Sequence, residues 1–213
     1  QIVYYFFSYF KLKKENICFS VPTGNFGDVY AGYIAKKMGL PINKLIVATN
    51  QNDILQRVIN TGEYKPDKVK QSISPSMDIQ VASNFERLLY NIVGQDDKKV
   101  HSFMKSLSEK GSFQLNQYEI EDIKKDFESV KISDEETQMI IKNINDKYNF
   151  IIDPHTATGF GAANKMKNLE NIVVLGTAHP FKFNETIKQA IGINLSPPTQ
   201  LKMDMDKEEK FDI

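Results

Sequence analysis

A short glycine-containing turn, Thr23-Gly-Asn-Phe-Gly27, carries the residues of this chain that are best suited to chemistry. Glycine and asparagine permit tight turns and positive φ angles. The apolar run at 17–21 predicts a buried strand before the turn, and apolar residues at helical spacing between Tyr30 and Met38 predict a helix after it. Such a helix would direct its first backbone N–H groups and the positive end of its dipole towards an anion. The sequence therefore predicts a phosphate-binding loop.

The alternative interpretation of this turn is that it binds nothing. Many turns between a strand and a helix carry glycines, and the run matches neither the G-x-G-x-x-G pattern nor the P-loop pattern. The spacing of the residues by itself leaves both interpretations open.

The identities of the residues add a resemblance that their spacing does not contain. The turn and six further stretches resemble the threonine synthase family, whose members are pyridoxal-phosphate enzymes of the tryptophan-synthase-β fold type. The stretches follow the family's order along the chain up to about Gly192, and together they are highly specific. They are Val21–Gly32, Leu45–Asn50, Asn52-Asp53, Ser74–Asp78, Asn84–Tyr90, Asp153–Ala157 and Thr177–Pro180.

The resemblance implies pyridoxal 5'-phosphate as the cofactor. The backbone amides of Gly24, Asn25, Phe26 and Gly27 are predicted to hold its phosphate. Thr177 is implied as the partner of its ring nitrogen, where a neutral hydroxyl suits replacement chemistry at the β and γ carbons. The alternative for Thr177 is a residue that only caps a strand.

Asp28 departs from the most familiar form of this loop, which ends with asparagine. A carboxylate turned towards a bound phosphate would repel it. In the first turn of the predicted helix, the side chain of Asp28 is expected to point outward, where it interacts favourably with the helix dipole.

The resemblance also implies a substrate, O-phospho-L-homoserine, which the family converts with water to L-threonine and phosphate. A guanidinium group binds phosphate through two hydrogen bonds, which makes Arg87 a candidate substrate contact. Asn84 lies three residues earlier on the same face of a predicted helix and is a second candidate. Ser83 is a weaker one. The alternative for Arg87 is an ordinary surface arginine.

The histidines are suited by type to general-base catalysis, but the positions of His155 and His179 favour structural roles or roles that support residues of the site. His155 and His179 each precede residues that begin a helix, and neither has metal-ligand spacing with His101, so no metal site is predicted. Lys182 follows the loop at Thr177 and could contact an anion, although a solvated lysine is the simpler interpretation.

A pyridoxal-phosphate enzyme also needs a lysine that forms a Schiff base with the cofactor. In the family this lysine stands in a Phe-Lys-Asp context upstream of the phosphate loop. Lys11, Lys13 and Lys14 lack that context, and Phe181-Lys182-Phe183 lies at the wrong end of the chain. No catalytic residue is therefore assigned in this chain, and the chain alone is predicted to be inactive.

The beginning of the chain suggests a missing neighbour. Gln1 is followed by a nearly all-apolar, aromatic run from Ile2 to Phe10, without the basic segment of a signal peptide. A helix that packs on further chain would explain this run. We therefore expect the C-terminal part of a longer enzyme, with the N-terminal part of the same enzyme as its partner.

Strands alternate with helices along the chain, which predicts an α/β fold with an open, mostly parallel sheet and helices on both faces. The carboxyl ends of parallel strands share one edge of a sheet, so the loops at 23–27 and 176–177 can meet there. The resemblance identifies this fold as the large domain of pyridoxal-phosphate fold type II. Strands are expected at 17–21, 44–49, 150–153 and 171–175.

Domain limits follow from composition. The charged segment from about 96 to 147 is predicted to be a helical insertion, with Phe127 on an amphipathic helix. The α/β domain is predicted for residues 1–195, followed by a loose tail at 196–213. Gly159 and Gly161 are expected to let a helix approach its neighbours closely.

Composition excludes several classes of protein. Lysine plus arginine and aspartate plus glutamate number 27 each, so no net charge favours a nucleic-acid partner. No run approaches the roughly 20 apolar residues of a membrane span. The single cysteine, Cys18, excludes an intramolecular disulfide and fits a reducing, cytoplasmic compartment.

Two other functions stay open at this point. One is a related pyridoxal-phosphate phospholyase or dehydratase with a different amino-acid substrate. The other is a non-catalytic remnant of the fold that binds small anions. The stretches Ser74–Asp78 and Asn84–Arg87, which the resemblance places on the substrate side, favour a threonine synthase over the first of these.

Overall fold

The structure, a computed structural model, describes residues 1–199. Its strands are β1 (Ile17–Pro22), β2 (Ile42–Thr49), β3 (Glu63–Tyr64), β4 (Phe113–Gln114), β5 (Phe127–Lys131) and β6 (Ile172–Val174). Its α-helices are α1 (Ile2–Leu12), α2 (Gly27–Lys37), α3 (Ile54–Thr61), α4 (Phe85–Ile92), α5 (Asp97–Lys110), α6 (Gln117–Asp126), α7 (Asp134–Tyr148), α8 (Pro154–Lys165) and α9 (Asn184–Ile191). Short 3₁₀ turns lie at Pro75–Met77 and Pro180–Phe183.

Four parallel strands form the main sheet in the spatial order β5-β2-β1-β6, which confirms the predicted parallel sheet. Phe19 of β1 pairs with Leu45 of β2 on one side and with Val173 of β6 on the other. From β1 the chain builds outward through β2 to β5, and it then crosses to the far side of β1 to form β6. This reversal leaves a crevice at the carboxyl ends of β1 and β6, where open α/β sheets bind their ligands.

Helices cover both faces of the main sheet, as predicted. On one face, Phe19 and Val21 of β1 belong to a large apolar core that also includes residues of α2, α3, α4 and α6. On the opposite face, Ile46 and Ala48 of β2 pack against Ala162 of α8. Because side chains of a strand alternate between the two faces, burial on both sides explains the continuous apolar runs of β1 and β2.

Two glycines let α8 approach its neighbours, which confirms the expected close packing. A Cβ atom on Gly159 would lie 2.8 Å from Cγ1 of Val174 in β6, and one on Gly161 would lie 2.8 Å from Cδ1 of Ile140 in α7. The close approach also lets the hydroxyl of Ser20 in β1 donate a 2.7 Å hydrogen bond to the carbonyl of Gly159. The helix is thereby tied directly to the central strand.

The segment 96–147 is helical only in part, which corrects the prediction of a helical insertion. Phe127 begins β5 instead of lying on a helix, and β5 pairs with β2 in the main sheet. Phe127 and Ser129 are buried while Glu128 is partly exposed, which is the alternation of a strand. The hydroxyl of Ser129 donates a 2.8 Å hydrogen bond to the carbonyl of Val47. Pairing with β2 therefore decides the structure of this segment.

The strand predicted at 150–153 does not form in the described structure. Ile152 is buried among Ile141 of α7 and Ile187 of α9, so the apolar run there serves helix packing. Asp153 is the N-cap of α8 and Pro154 occupies its first turn. Both residue types are favoured at the start of a helix, so this stretch leads into α8 instead of forming a strand.

The domain limit at residue 195 stays a prediction, and the tail predicted at 196–213 falls, beyond residue 199, outside the described residues. Of the helices described, none has the length and apolar character that crossing a membrane requires. Across residues 1–199, no group of three or more His, Cys, Asp or Glu side chains is placed to hold a metal ion.

Candidate functional site

A hollow of about 480 Å³ lies at the carboxyl ends of β1 and β6, in the crevice that the strand order creates. The loop after β1 and the loop after β6 both line it, and they bring together all the residues predicted to hold a cofactor. These residues are Gly24, Asn25, Phe26, Gly27 and Thr177. Two loops that are far apart in the sequence thus face one cavity.

The glycine loop ends in a left-handed residue whose side chain is anchored. Phe26 has φ = 69° and is the N-cap of α2. Its fully buried ring packs edge-to-face on Phe85, with ring centroids 5.2 Å apart, and also contacts Phe127. Positive φ is unfavourable for a bulky residue, so the aromatic packing must hold this conformation.

The amides of this loop provide the donor set that a phosphate requires. Within residues 1–199, the backbone N–H groups of Gly24, Asn25 and Phe26 donate to no protein acceptor. The N–H of Gly27 donates to Oδ1 of Asn25 at 2.9 Å. Uncapped N–H groups at the beginning of a helix, together with the helix dipole, favour an anion.

Asn84 supports the glycine loop from behind. Its backbone N–H and its side-chain Nδ2 both donate to the carbonyl of Asn25, at 3.1 and 3.2 Å. Arg87 lines an adjoining hollow of about 460 Å³ that shares Asn25 and Gly27 with the first. Ser83 lines a separate small cleft, so the structure does not bring it to the site.

The turn at Pro75–Met77 forms another wall of the hollow. A Cβ atom on Gly24 would lie 2.8 Å from the carbonyl oxygen of Ser76, so the turn and the glycine loop are in direct contact. Behind the turn, the carboxylate of Asp78 accepts hydrogen bonds from the side-chain amides of Asn50 and Asn52, at 2.8 and 3.0 Å. The stretches at 45–53 and 74–78 therefore act as a brace for the site.

His155 lies in the wall of the hollow, a position that sequence reasoning did not assign to it. Its Nδ1 is 3.0 Å from Oδ1 of Asp153, and its Nε2 accepts a 3.2 Å hydrogen bond from the N–H of Ser76. Its ring centroid is 4.7 Å from that of Phe183. His179, in contrast, has a structural role, because its Nδ1 accepts from the N–H of Phe181 within a 3₁₀ turn.

Asp153 joins α8 to the loop after β6. Its Oδ1 accepts from the N–H of His155 at 2.9 Å, and its Oδ2 accepts from the hydroxyl of Thr156. The oxygen of that hydroxyl accepts from the N–H of Thr177 at 3.3 Å. Burial by itself would raise the pKa of the Asp153 carboxyl, but hydrogen bonds from His155 and Thr156 outweigh it and lower this pKa.

Asp28 does not point outward, which corrects the expectation from the sequence. It lines the hollow, and the hydroxyl of Tyr5 donates to its carbonyl at 2.8 Å and to its Oδ1 at 3.3 Å. The ring of Tyr5 reaches this position because Gly32 lacks a side chain, whose Cβ would lie 2.5 Å from Cε1 of Tyr5. Burial raises the pKa of the Asp28 carboxyl, and the hydrogen bond from Tyr5 partly offsets this rise.

Replacing Tyr5 with phenylalanine is expected to raise the pKa of Asp28 further and to lower the free energy of unfolding by about 1–2 kcal/mol. The substitution removes the hydroxyl that stabilises the carboxylate and leaves the packing of the ring intact. A pH titration of the Asp28 carboxyl carbon by NMR measures the first effect, and denaturant unfolding measures the second. Tyr9→Phe on the same helix is the control. An unchanged Asp28 titration would contradict the prediction.

Lys182 also lines the hollow, next to the loop that carries Thr177. Lys182 is exposed, as a solvated lysine would be, but it lines the same hollow as the glycine loop. The short turn at Pro180–Phe183 sets this position. Its closeness to Thr177 in the sequence is the signal that identified it as a possible anion contact.

Comparison with known proteins gives consistent matches. Residues 156–213 match the family described as the C-terminal part of threonine synthase. Threonine synthase from Pseudomonas aeruginosa is 42% identical over 216 residues, which cover 99% of this chain and 46% of that protein. The one from Saccharomyces cerevisiae is 43% identical over 215 residues, covering 90% of this chain and 42% of that protein.

A solved structure agrees with these matches. The crystal structure of threonine synthase from Brucella melitensis with bound pyridoxal phosphate superposes with a TM-score of 0.94 at 41% identity. The superposition covers 99% of this chain and 46% of that one. The chain therefore spans just under half the length of the relatives that it matches, and its fold is that of the pyridoxal-phosphate fold type II enzymes.

Proposed function

This chain is a relative of the threonine synthases, and on that premise we propose that it forms their cofactor-binding part. The reaction is the conversion of O-phospho-L-homoserine and water to L-threonine and phosphate. The observation that carries the proposal is the common hollow of the glycine loop and the Thr177 loop, at the point where the strand order reverses.

The residues of the hollow fit pyridoxal 5'-phosphate. The free N–H groups at Gly24, Asn25 and Phe26, with Gly27 at the start of α2, suit its phosphate. Thr177, across the hollow, suits its ring nitrogen through a neutral hydroxyl. The cofactor, when bound, supplies an electron sink for the amino-acid substrate. The protein contributes the binding and orientation of both.

Two cations are candidates for the phosphate of the substrate. Arg87 lies in the adjoining hollow that shares Asn25 and Gly27 with the cofactor hollow, and its guanidinium can bind phosphate through two hydrogen bonds. Lys182 lies in the cofactor hollow itself. We assign Asn84 a supporting role, because its backbone N–H and its Nδ2 both donate to the carbonyl of Asn25. Ser83, in its separate cleft, is left out of the proposal.

The lysine that attaches the cofactor is proposed to come from a partner, the lysine-bearing remainder of a threonine synthase. No Phe-Lys-Asp sequence occurs in this chain. The helix α1 borders the hollow and exposes an apolar face beside it, where Val3, Phe7 and Phe10 are 65, 61 and 63% exposed. A surface of this kind suits a protein partner. This chain alone is accordingly proposed to bind the cofactor without turnover.

Titration of the 213-residue chain with pyridoxal 5'-phosphate, followed by absorbance and fluorescence, tests the proposal. Pyridoxal, which lacks the phosphate, is the matched probe and should bind at least about tenfold more weakly, since it cannot use the loop amides. Borohydride treatment should add no mass to the chain. Equal affinity for both compounds, or a covalent gain on Lys182, would contradict the assignment.

Activity is tested by adding the lysine-bearing part of a threonine synthase to this chain. Phosphate release from O-phosphohomoserine is expected only with both parts present. Deamination of serine without phosphate release would instead indicate a dehydratase. Phosphate release by the 213-residue chain alone would refute the need for the partner.

A further inference from the structure

We infer that His155 is a positioning residue. Its Nε2 accepts a hydrogen bond from the N–H of Ser76 and thereby fixes the Pro75–Met77 wall of the hollow. That this wall serves a cofactor phosphate rests on the proposed function above. The hydrogen-bonded arrangement itself does not, and it can be tested separately. The sequence predicts for His155 either a structural role or one that supports site residues, without naming its partners.

The hydrogen-bond partners of His155 determine the tautomer of its imidazole ring. The side chain is 4% exposed and is held between Asp153, Ser76 and Phe183. The N–H of Ser76 can only donate, so Nε2 must be the acceptor. A carboxylate of Asp153 can only accept, so Nδ1 must carry the proton. The neutral Nδ1–H tautomer satisfies both neighbours, and neither the other tautomer nor the imidazolium does.

The contact with Ser76 has a consequence for the glycine loop. The carbonyl oxygen of Ser76 would lie only 2.8 Å from a Cβ atom on Gly24, so the peptide groups of the turn and the loop are packed against each other. The turn is a single 3₁₀ turn and has no regular secondary structure to hold its first N–H groups. Loss of the acceptor at Nε2 therefore lets Ser76 move. The glycine loop, which packs against Ser76 at Gly24, is then expected to shift as well.

The same chain of hydrogen bonds reaches the opposite loop. Asp153 accepts from His155 at one oxygen and from Thr156 at the other, and Thr156 accepts the N–H of Thr177. The carboxylate of Asp153 is thus the common anchor of the Pro75–Met77 turn and of the loop that carries Thr177. Through His155 the carboxylate is connected by hydrogen bonds to Ser76, and through Thr156 it is connected to Thr177.

Two substitutions separate positioning from simple packing. In His155→Gln, the side-chain oxygen can take the place of Nε2 and accept from Ser76. In His155→Asn, the shorter amide can take the place of Nδ1 and bond to Asp153, but it does not reach Ser76. We expect His155→Gln to bind pyridoxal 5'-phosphate within about threefold of the unchanged chain and His155→Asn to bind it about tenfold more weakly. Equal losses in both variants, in proportion to their lost stability, would overturn the inference.

NMR provides a readout that does not depend on cofactor binding. The imidazole nitrogens of His155 are expected to have the chemical shifts of the Nδ1–H tautomer. The amide hydrogen of Ser76 is expected to exchange with solvent about tenfold faster in His155→Asn than in His155→Gln. An Nε2–H tautomer, or unchanged exchange at Ser76, would overturn the inference. If these signatures are present but pyridoxal 5'-phosphate does not bind, the proposed function fails and the positioning role stands.

Discussion

Replacement of Gly24 with valine is expected to weaken binding of pyridoxal 5'-phosphate by at least about 100-fold. The Cβ atom would lie 2.8 Å from the backbone oxygen of Ser76 and 3.1 Å from Cα of Met77. Both are backbone atoms of the braced turn, and they cannot move aside as a flexible side chain can. The glycine loop must therefore shift, and its N–H groups lose their common direction.

The measurement is a spectroscopic titration with the cofactor, accompanied by denaturant unfolding. Gly161→Val is the matched control, because it also places a branched side chain against buried neighbours but lies outside the hollow. Both variants should lose about 1–3 kcal/mol of stability through overpacking. Only Gly24→Val should lose the cofactor. Comparable affinity in the two variants would show that the loop does not bind the phosphate.

Replacement of Asp153 with alanine is expected to lower the free energy of unfolding by about 3 kcal/mol. Asp153 is 1% exposed and is the N-cap of α8, where it accepts from the N–H groups of His155 and Thr156. Alanine leaves these donors and the imidazole N–H buried without an acceptor. Asp153→Asn keeps an oxygen at the cap and should cost only about 1 kcal/mol at neutral pH. Guanidinium unfolding of the unchanged chain and both variants at neutral pH measures the two differences.

The stability conferred by Asp153 is also expected to depend on pH. Its carboxyl has a lowered pKa in the folded chain, relative to a value near 3.9 when unfolded. The unfolded chain therefore takes up a proton first as the pH falls, and the stabilisation is complete above about pH 5 and lost as the pH drops through the folded-state pKa. The advantage of the unchanged chain over the Asp153→Asn variant should be constant above about pH 5 and shrink as the pH falls from about 5 to about 3. A constant difference from about pH 5 to about pH 3 would exclude a charged Asp153 as the anchor of the Pro75–Met77 turn and the Thr177 loop.

Local features of the fold could be predicted from the sequence, and features that depend on distant partners could not. The strand, turn and helix at 17–37 follow from an apolar run and a glycine turn, both of which are local signals. Phe127 fits a helix with Ile120 and Ile123 as well as it fits a strand, and pairing with β2 decides between them. At 150–153 the apolar residues predicted a strand, but Asp153 and Pro154 begin α8 there.

The candidate site divides in the same way. The residues of the glycine loop and Thr177 were identified from their motifs, and the parallel sheet explains why they meet. The position of Asp28 depends on Tyr5, which is 23 residues away, and the position of His155 depends on Ser76, which is 79 residues away. No periodicity or short motif contains such a contact. The sequence favoured an outward-pointing side chain for Asp28 and did not say which residues His155 would contact.

The placement of β1 in the sheet has a consequence for how the chain folds. β1 begins at Ile17, yet it pairs with β6 near Ile172, and the bond between Ser20 and Gly159 joins residues 139 positions apart. Long-range pairings of this kind raise the contact order and slow folding, because a large loop must close before the contacts form. During synthesis, β1 cannot pair with β6 until nearly the whole described chain has left the ribosome. Until then the backbone N–H and C=O groups on the β6 side of β1 are open to pairing with other chains, and this is the interval in which a chaperone would be of most use.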